Sequence, residues 1–313
     1  MTRLTAATTP GVPGDAIRSE AQSLLRGLVS PFSFYGRLAA EELGQNLTLP
    51  APPAALQQKE RTSTLANPGL ARALRLIELG LRNEGVREWN FSLRGLGDRE
   101  LLSAASLACE REVWDRCIHT SDRTRGEIDV NQRFPTPFRT ELLGQTREIG
   151  LDAAYVYGLV RQESRFVADA RSHVGAFGLM QVMPATARWT AKKLGIDYNA
   201  AALGDRDVNL RIGTRYLKMV LDDFGGSMAM AAAAYNAGPT RPRRWRDGPT
   251  IDAAVWAETI PFHETRDYVK KVLTNAAIYA QLLGAENTSL RTRLGTNIGP
   301  RDNNAMSTNL DLP

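Results

Sequence analysis

The sequence contains no long hydrophobic run and few residues of the kinds that build metal centres. No stretch of about 18 consecutive apolar residues occurs, so no transmembrane helix is expected. The N-terminal segment lacks the apolar region of a signal peptide, so the protein is either cytoplasmic or lacks the start of a longer precursor. The two cysteines, Cys109 and Cys117, stand eight residues apart, a spacing that matches no zinc framework.

This cysteine pair leaves two structures open. A disulfide forms if a turn separates the two residues, whereas two buried thiols result if they share one helix face. An even number of cysteines fits an oxidising compartment but does not establish one.

The composition is that of an ordinary globular protein. The length of 313 residues suggests about two domains. Hydrophobic residues make up 43% and charged residues 23%, which excludes a mainly disordered or fibrous chain. The formal net charge of +5 slightly favours anionic partners such as nucleic acid, an anionic membrane or the bacterial wall, but it is equally compatible with charge needed only for solubility.

Helix signals dominate the chain, and no segment shows the convincing apolar–polar alternation of a strand. The predicted fold class is therefore all-α. An apolar stripe from Leu70 to Leu81 predicts a helix over 68–83, and Asp98 is expected to be the N-cap of a following helix. Capping residues and glycines predict later helices at 152–164, 184–194, 207–224, 227–237 and 263–283.

Three regions follow from these patterns. Residues 1–125 contain short helices with brief turns, as in an α-solenoid, and are predicted to be a superhelical or linker module. Residues 126–285 are predicted to be a second helical domain. Residues 286–313 are rich in Asn, Thr and Arg and contain few large apolar side chains, so we expect a flexible tail.

Glu163 is the first candidate for chemistry. It stands at the end of an apolar helix and precedes a glycine-rich loop. A carboxyl that is partly desolvated in such a place has a raised pKa and can donate a proton near neutral pH. For a lone glutamate on a helix, an exposed or salt-bridged side chain is the more common outcome.

Three further segments accompany Glu163 in a defined order. GLMQ begins at Gly178, AYNAG covers residues 234–238, and ETRDYV begins at Glu264. Taken singly, these segments are a turn, a capped core helix and a polar helix start. Taken together and in this order, they form a specific signature.

This signature resembles the soluble lytic murein transglycosylases, which carry a goose-lysozyme-like catalytic domain behind a helical superhelix. The resemblance covers roughly residues 125–285 and, more weakly, 68–120. It implies a lysozyme-like domain at 126–285 and a chain that lacks most of the N-terminal ring of the family. It also implies peptidoglycan glycan strands as the partner, a monomer in the periplasm or cell envelope of a Gram-negative bacterium, and no metal or organic cofactor.

The resemblance further implies that Glu163 is the sole acid and base. Glu163 would protonate the glycosidic oxygen between N-acetylmuramic acid and N-acetylglucosamine, and then take the proton of the muramoyl 6-hydroxyl as a 1,6-anhydro ring closes. The acetamido group of the substrate would stabilise the cationic centre, which departs from the scheme with two carboxylates.

The family pattern also assigns substrate contacts, for each of which core packing or helix capping is the alternative role. The matched positions are Ser164, Ser172, Gln181, Met183, Tyr235, Asn236, Glu264 and Tyr268.

Residues 241–246 (RPRRWR) carry a cluster of arginines around one tryptophan. Arg243, Arg244 and Trp245 could form a rim that attracts the carboxylates of peptide stems, with the indole stacking on a sugar. A solvated loop with a partly buried tryptophan is equally compatible. No nucleic-acid-binding motif or broad basic face is present, so nucleic acid is not an expected partner.

Two other functions remain open from the sequence. A goose-type lysozyme would hydrolyse the same bond, and its product would be heavier than the anhydro product by one water. A wall-binding helical scaffold would not cleave the substrate.

Overall fold

The computed structural model describes residues 10–301, 309 and 311–313, and the regular secondary structure of the described residues is almost entirely helical, as predicted. The first helices are α1 (Gly11–Leu28), α2 (Phe34–Glu42), α3 (Gln58–Leu65), α4 (Pro68–Glu78), α5 (Arg82–Ser92), α6 (Asp98–Glu110), α7 (Trp114–Ser121), α8 (Val130–Arg133) and α9 (Arg139–Glu148). Then follow α10 (Ala153–Glu163), α11 (Pro184–Leu194), a 3-10 turn (Ala200–Gly204), α12 (Arg206–Asp223), α13 (Met228–Ala237), α14 (Thr240–Trp245), α15 (Ala253–Thr259), α16 (His263–Leu282) and α17 (Leu290–Leu294). Two short strands, β1 (Ile251–Asp252) and β2 (Asn297–Ile298), pair antiparallel. None of the described helices is both long enough and apolar enough to cross a membrane.

The helices of the second half lie where the sequence predicts them. The predicted helix 184–194 coincides with α11, and the predictions for α10, α12, α13 and α16 are correct to within one residue at each end. Side-chain caps explain this agreement, because Asp152, Asp205 and Ser227 each accept backbone N–H groups at a helix start.

The predicted helix over 68–83 begins where the sequence places it but ends too late in the prediction, because the chain turns after Glu78. Helix α4 ends at Glu78, Gly80 adopts a φ of +79°, and α5 begins at Arg82. A residue with a side chain strongly disfavours that φ, so the glycine ends the helix although the apolar stripe continues. The result is an antiparallel helix pair.

Asp98 is not the N-cap that the sequence suggested. Gly97 occupies the N-cap position of α6, and Asp98 is the first residue of the helix. Its carboxylate accepts hydrogen bonds from the backbone N–H groups of Arg125, Gly126 and Glu127 at 2.6 to 3.1 Å. Asp98 therefore holds the start of α6 against the segment that follows α7.

Helices α4 to α7, called the linker helices below, have a small core of their own. Leu70, Leu101 and the fully buried Trp89 pack together, and the Trp89 indole N–H donates to Thr120 Oγ1 at 2.9 Å. A turn separates α6 from α7, and Cys109 and Cys117 form a disulfide across it with their Cα atoms 5.0 Å apart. Of the two arrangements that the sequence left open, the structure contains the disulfide.

The larger core is organised around α10 and α16, which pack directly against each other. Gly158 makes this contact possible, because a Cβ atom there would lie 2.7 Å from the carbonyl oxygen of Val272 and 2.8 Å from the N atom of Ala276. The rings of Tyr157 and Tyr279 stack between the helices with centroids 5.0 Å apart. Helix α10 is therefore held rigidly along its length up to Glu163.

The boundary predicted at residue 125 does not separate the two cores. Phe34 on α2 and Ile118 on α7 both belong to the larger core. The Tyr35 hydroxyl donates to Glu258 Oε1 at 2.5 Å, and Lys270 Nζ donates to the Tyr35 oxygen at 3.0 Å. Helix α2 therefore packs on the second domain, although its sequence position places it before the linker helices.

Residues 286–301 are not the flexible tail that composition suggested, whereas residues 302–308 and 310 lie outside the described residues. Leu290 and Leu294 are buried in the larger core, and Arg293 Nη1 donates to Asp152 Oδ2 at 2.5 Å. Glu41 on α2 accepts the N–H groups of Leu290 and Arg291 at 2.6 and 3.0 Å. Two well-placed leucines and these polar contacts order a segment whose average composition is polar.

Candidate active site

The end of α10 places Glu163 at the start of an irregular loop. Ser164 ends the helix, and its hydroxyl donates to the carbonyl of Leu179 at 2.8 Å and accepts the N–H of Phe166 at 3.1 Å. Arg165 and Phe166 then adopt φ values of +50° and +65°, which turn the chain sharply away from the helix axis. The hydroxyl of Ser164 therefore ties the end of α10 to the returning loop, and its predicted substrate contact stays a prediction.

The Glu163 carboxyl lies in a partly buried position beside two phenols. The Tyr268 hydroxyl donates to Glu163 Oε1 at 2.5 Å. Burial raises the pKa of Glu163 to about 8; the Tyr268 hydrogen bond opposes this rise and the negative charge of Glu264 adds to it. No lysine or arginine within the described residues forms an ion pair with this carboxyl. Glu163 therefore keeps its proton at neutral pH.

The loop that returns toward α11 is held by a buried asparagine that sequence reasoning missed. Asn209 on α12 accepts the N–H of Met180 at 2.9 Å and donates to the carbonyl of Phe177 at 2.9 Å. Gly178 has a φ of +73°, and a Cβ atom on it would lie 2.4 Å from Asn209 Nδ2. The available signal was an asparagine on the apolar face of a predicted helix, where a polar side chain needs a specific partner.

Three predicted contact residues lie in this same loop. The Ser172 hydroxyl accepts the N–H of Ala176 at 2.9 Å. Gln181 has a φ of +46°, and its amide donates to the carbonyl of Gly178 at 2.8 Å. Met183 is 40% exposed at the start of α11. Ser172 and Gln181 therefore shape the loop, and Met183 presents an apolar surface beside it.

Tyr235, near the end of α13, is the second phenol near Glu163. Its hydroxyl donates to the carbonyl of Met180 at 2.8 Å, which joins α13 to the loop. Burial raises the pKa of Tyr235, and the charge of Glu163 raises it further. The phenol is therefore neutral at any physiological pH and can act as a hydrogen-bonding group beside the carboxyl.

Asn236 connects α13 to the start of α16. Its carbonyl oxygen accepts from the Thr265 hydroxyl at 2.7 Å, and its amide donates to Glu264 Oε1 at 3.4 Å. Glu264 is exposed in the first turn of α16. The structure thus brings Glu163, Tyr235, Asn236, Glu264 and Tyr268 into one region, with Thr265 as a linking residue that sequence reasoning missed.

The arginine cluster predicted as a rim lies on helix α14 instead of a loop. Arg243 Nη2 donates to Asp223 Oδ2 at 2.8 Å, and its guanidinium lies over the ring of Phe224. The ring of Trp245 packs edge-to-face on Phe262 at 5.4 Å. Arg244 alone of the three extends exposed into solvent. Arg243 therefore anchors α14, and the structure does not present it as a free cation.

These features define what the site can do. It holds one neutral carboxyl with two neutral phenols near it, and the additional carboxylate whose charge acts on Glu163 is that of the exposed Glu264. Within the described residues, no group of three His, Cys, Asp or Glu side chains lies close enough to hold a metal ion. The arrangement suits proton donation to a leaving oxygen followed by proton uptake at the same carboxyl.

Comparisons with known proteins match both parts of the chain. Residues 144–252 match the transglycosylase SLT domain, residues 63–125 match the soluble lytic murein transglycosylase L domain, and residues 259–287 match the soluble lytic transglycosylase helical domain. The soluble lytic murein transglycosylase of Salmonella typhimurium is 34% identical over 85% of this chain and 42% of its own length. The Escherichia coli protein of that name is 33% identical over 86% of this chain and 42% of its own length.

Solved structures show the same relationship. The lytic transglycosylase Slt of Pseudomonas aeruginosa, in an inactive glutamate-to-glutamine mutant, superposes with a TM-score of 0.78 at 37% identity, over 87% of this chain and 44% of that one. The soluble lytic transglycosylase SLT70 of Escherichia coli superposes with a TM-score of 0.77 at 30% identity, over 94% of this chain and 48% of that one. This chain therefore spans less than half the length of the relatives it matches, and it belongs to the soluble lytic transglycosylase family.

Proposed function

We propose that this chain is a lytic transglycosylase that cleaves peptidoglycan glycan strands, with Glu163 as the single acid and base. The observation that carries the proposal is the buried carboxyl of Glu163, whose pKa of about 8 keeps it protonated at neutral pH. The relatives named as murein transglycosylases support the substrate, and the inactive glutamate-to-glutamine mutant of Slt supports a glutamate as the essential group. The complex of a 70-kDa soluble lytic transglycosylase with bulgecin A supports a ligand-binding cleft in this family.

The first step is proton transfer from Glu163 to the oxygen that links N-acetylmuramic acid to N-acetylglucosamine. The bond between that oxygen and C1 of the muramoyl residue breaks, and the N-acetylglucosamine end leaves with a hydroxyl. The acetamido oxygen of the muramoyl residue stabilises the positive charge at C1. The Tyr268 hydroxyl donates a hydrogen bond to Oε1 of Glu163, so it stabilises the carboxylate that is left after the proton transfer.

The second step closes the 1,6-anhydro ring. The Glu163 carboxylate takes the proton of the muramoyl 6-hydroxyl, and the oxygen forms a bond to C1. The carboxyl is then protonated again, so the cycle neither consumes water nor needs a metal. We expect the polar groups of Tyr235 and Asn236 to orient the sugar hydroxyls beside Glu163.

Product mass tests this proposal against hydrolysis. Purified peptidoglycan sacculi are digested with the full chain, and the soluble fragments are weighed by mass spectrometry. Fragments lighter by one water than hydrolytic products support the transglycosylase, whereas hydrolytic products would identify a lysozyme. Absence of any fragment would identify a binding scaffold.

Two variants make the assignment of Glu163 specific. We expect Glu163→Gln to lose about 10²- to 10⁴-fold in rate, because the amide cannot deliver a proton. Asp169→Asn, an exposed carboxylate in the same loop, is the matched control and retains activity. Equal release by Glu163→Gln and the unmodified chain would overturn the role of Glu163.

A location in the periplasm or cell envelope is part of the proposal. The disulfide between Cys109 and Cys117 is typical of an oxidising compartment. The substrate of the named relatives lies outside the cytoplasmic membrane. Fractionation of the source cell with an antibody to this chain tests the location directly.

A further inference from the structure

A cavity lies between α2, α10 and α16, and its lining carries more basic than acidic side chains. Its volume is about 520 Å³, and it reaches Gln162, the neighbour of Glu163 in the chain. Two acids, Asp122 and Asp267, line it. The cationic residues that line it are Arg133, Arg161, Arg165, Lys270 and Lys271.

Both lysines have a carboxylate of their own. Lys270 pairs with Glu258 at 2.8 Å, and Lys271 pairs with Asp267 at 2.7 Å. These four charges cancel in pairs, so the lysines leave the cavity no net charge.

Within the cavity lining, one carboxylate, that of Asp122, is left for the three arginines; outside the lining, Asp115 also acts electrostatically on Arg165 and Asp98 on Arg133. Asp122 interacts electrostatically with Arg133, Arg161 and Arg165, and its one ion pair among the described residues is with Arg161 at 3.4 Å. Arg133 donates to neutral acceptors, the carbonyls of Ser121 and Thr124. The group of three arginines and one aspartate therefore carries about two uncompensated positive charges.

Arg165 is the least satisfied of these groups. Within the described part of the chain, its guanidinium makes no hydrogen bond and no ion pair. Burial and the charge of Arg161 both lower the pKa of Arg165. The five N–H donors of this partly buried guanidinium therefore have no protein acceptor among the described residues, and an anion in the cavity could accept hydrogen bonds from them and pair with the positive charge.

A buried hydroxyl in the cavity wall points to a ligand independently. Thr274 lines the cavity and is only 5% exposed, yet its Oγ1 has no hydrogen-bond partner among the described residues. Most buried hydroxyls in proteins are hydrogen-bonded, because an unsatisfied one forfeits the water contacts it had when unfolded. A ligand oxygen in the cavity would supply the missing partner.

The basic wall is rigid before any ligand arrives. The Arg161 guanidinium lies 4.2 Å from the centre of the Phe134 ring, and Arg161 Nε donates to the carbonyl of Arg133 at 2.9 Å. The Arg133 guanidinium lies over the ring of Phe32 at 5.6 Å. Because aromatic faces hold Arg133 and Arg161 in place, little side-chain entropy of these two residues is lost when an anion binds.

We propose that this cavity binds an oxyanion, a carboxylate or a phosphate group of a ligand, through Arg133, Arg165 and the hydroxyl of Thr274. Planar guanidinium groups match both kinds of oxyanion. The cavity is distinct from the carboxyl of Glu163, and the proposal does not depend on the proposed function.

Calorimetric titration tests this site with small anions. The full chain is titrated with inorganic phosphate and with citrate, each against chloride at equal ionic strength. We expect saturable binding of one anion per chain. Tighter binding of phosphate indicates a phosphate-bearing ligand, and tighter binding of citrate indicates a carboxylate-bearing one.

Three variants assign the binding to the cavity. We expect Arg165→Ala to weaken binding by about tenfold or more, and Thr274→Val, which keeps the side-chain shape, to weaken it by about threefold to tenfold. Arg211→Ala, an exposed arginine on α12, is the matched control and leaves binding unchanged. Thermal melts without anion confirm that each variant folds. Absence of saturable binding to both anions, or unchanged affinity in both cavity variants, would overturn the proposal.

Discussion

The hydroxyl of Tyr268 donates a hydrogen bond to Oε1 of Glu163 at 2.5 Å, although the two residues are 105 positions apart in the chain. The contact depends on the close packing of α10 against α16, which Gly158 permits. This hydrogen bond lowers the pKa of Glu163, because it favours the ionised carboxyl. Burial raises the pKa, because it favours the neutral form. Burial is the largest effect on the pKa of Glu163, the charge of Glu264 adds to it, and the Tyr268 hydrogen bond opposes both.

Removal of the Tyr268 hydroxyl should change the pH dependence of activity. In Tyr268→Phe the hydrogen bond that lowers the pKa of Glu163 is lost, so the pKa rises further. The alkaline limb of the pH–rate profile then moves to higher pH, and kcat falls by about 10- to 100-fold because the carboxyl is less well oriented. Steady-state rates on sacculi between pH 5 and 10 measure both effects.

The matched control for this variant is Tyr279→Phe. The Tyr279 hydroxyl is also buried, but it donates to the carbonyl of Pro135 instead of to Glu163. Its loss should leave the alkaline limb in place. A profile for Tyr268→Phe that moves to lower pH, or does not move, would show that this phenol does not hold the Glu163 carboxylate.

The raised pKa of Glu163 also predicts a pH dependence of stability. Between the ordinary value of 4.5 and the folded value of about 8, the folded protein holds one proton that the unfolded chain releases. The contribution of this group is therefore complete below pH 4.5 and is lost at about 1.4 kcal/mol per pH unit as the pH rises to 8. The variant Glu163→Gln has no ionisable group at this position, so its free energy of unfolding lacks this pH dependence.

Urea unfolding at several pH values measures the difference. The free energy of unfolding of Glu163→Gln should approach or exceed that of the unmodified chain increasingly from pH 5 to pH 8, and the difference should level off at higher pH. A difference that stays constant over this range would mean that Glu163 has an ordinary pKa in the folded protein.

The loop beside the carboxyl depends on Gly178. Gly178→Ala places a Cβ atom against Asn209 and strains a φ of +73°, so we expect a loss of about 2 to 4 kcal/mol in the free energy of unfolding. Gly144→Ala, at a helical position with no atom within 4 Å of the added Cβ, is the control and should be neutral or stabilising. Equal effects of the two changes would contradict the close packing of Gly178 on Asn209.

The disulfide should stabilise the linker helices. The short loop between Cys109 and Cys117 predicts a loss of about 2 to 3 kcal/mol when the bond is reduced. Urea unfolding with and without dithiothreitol measures this loss, and the variant Cys109→Ala/Cys117→Ala should not respond to the reductant. Two free thiols in the untreated, oxidised protein would refute the bond.

Local signals in the sequence were sufficient for much of the fold. The caps Asp152, Asp205 and Ser227 define helix starts through contacts within a few residues, so the helices of the second half were predicted closely. Glu163 and Tyr268 were identified because their motifs occur in the order typical of a known family. The hydrogen bond between them required the structure.

Errors arose where long-range contacts decide the outcome. Residues 286–301 look polar on average, but Leu290 and Leu294 are buried in a core that also includes Phe34, near the other end of the chain. Arg243 looked like an exposed cation, and only the fold brings Asp223 to it. Asn209 was missed because its role is defined by a loop that begins about 30 residues before it.

The pKa of Glu163 is the quantity on which the account depends most. A carbon-13 NMR titration of the glutamate side-chain carboxyls, with Glu163→Gln used to assign the resonance, measures it directly. The account predicts a midpoint near pH 8 for the resonance that this variant lacks. A midpoint between about pH 4 and 5, the ordinary range of glutamate, would contradict it.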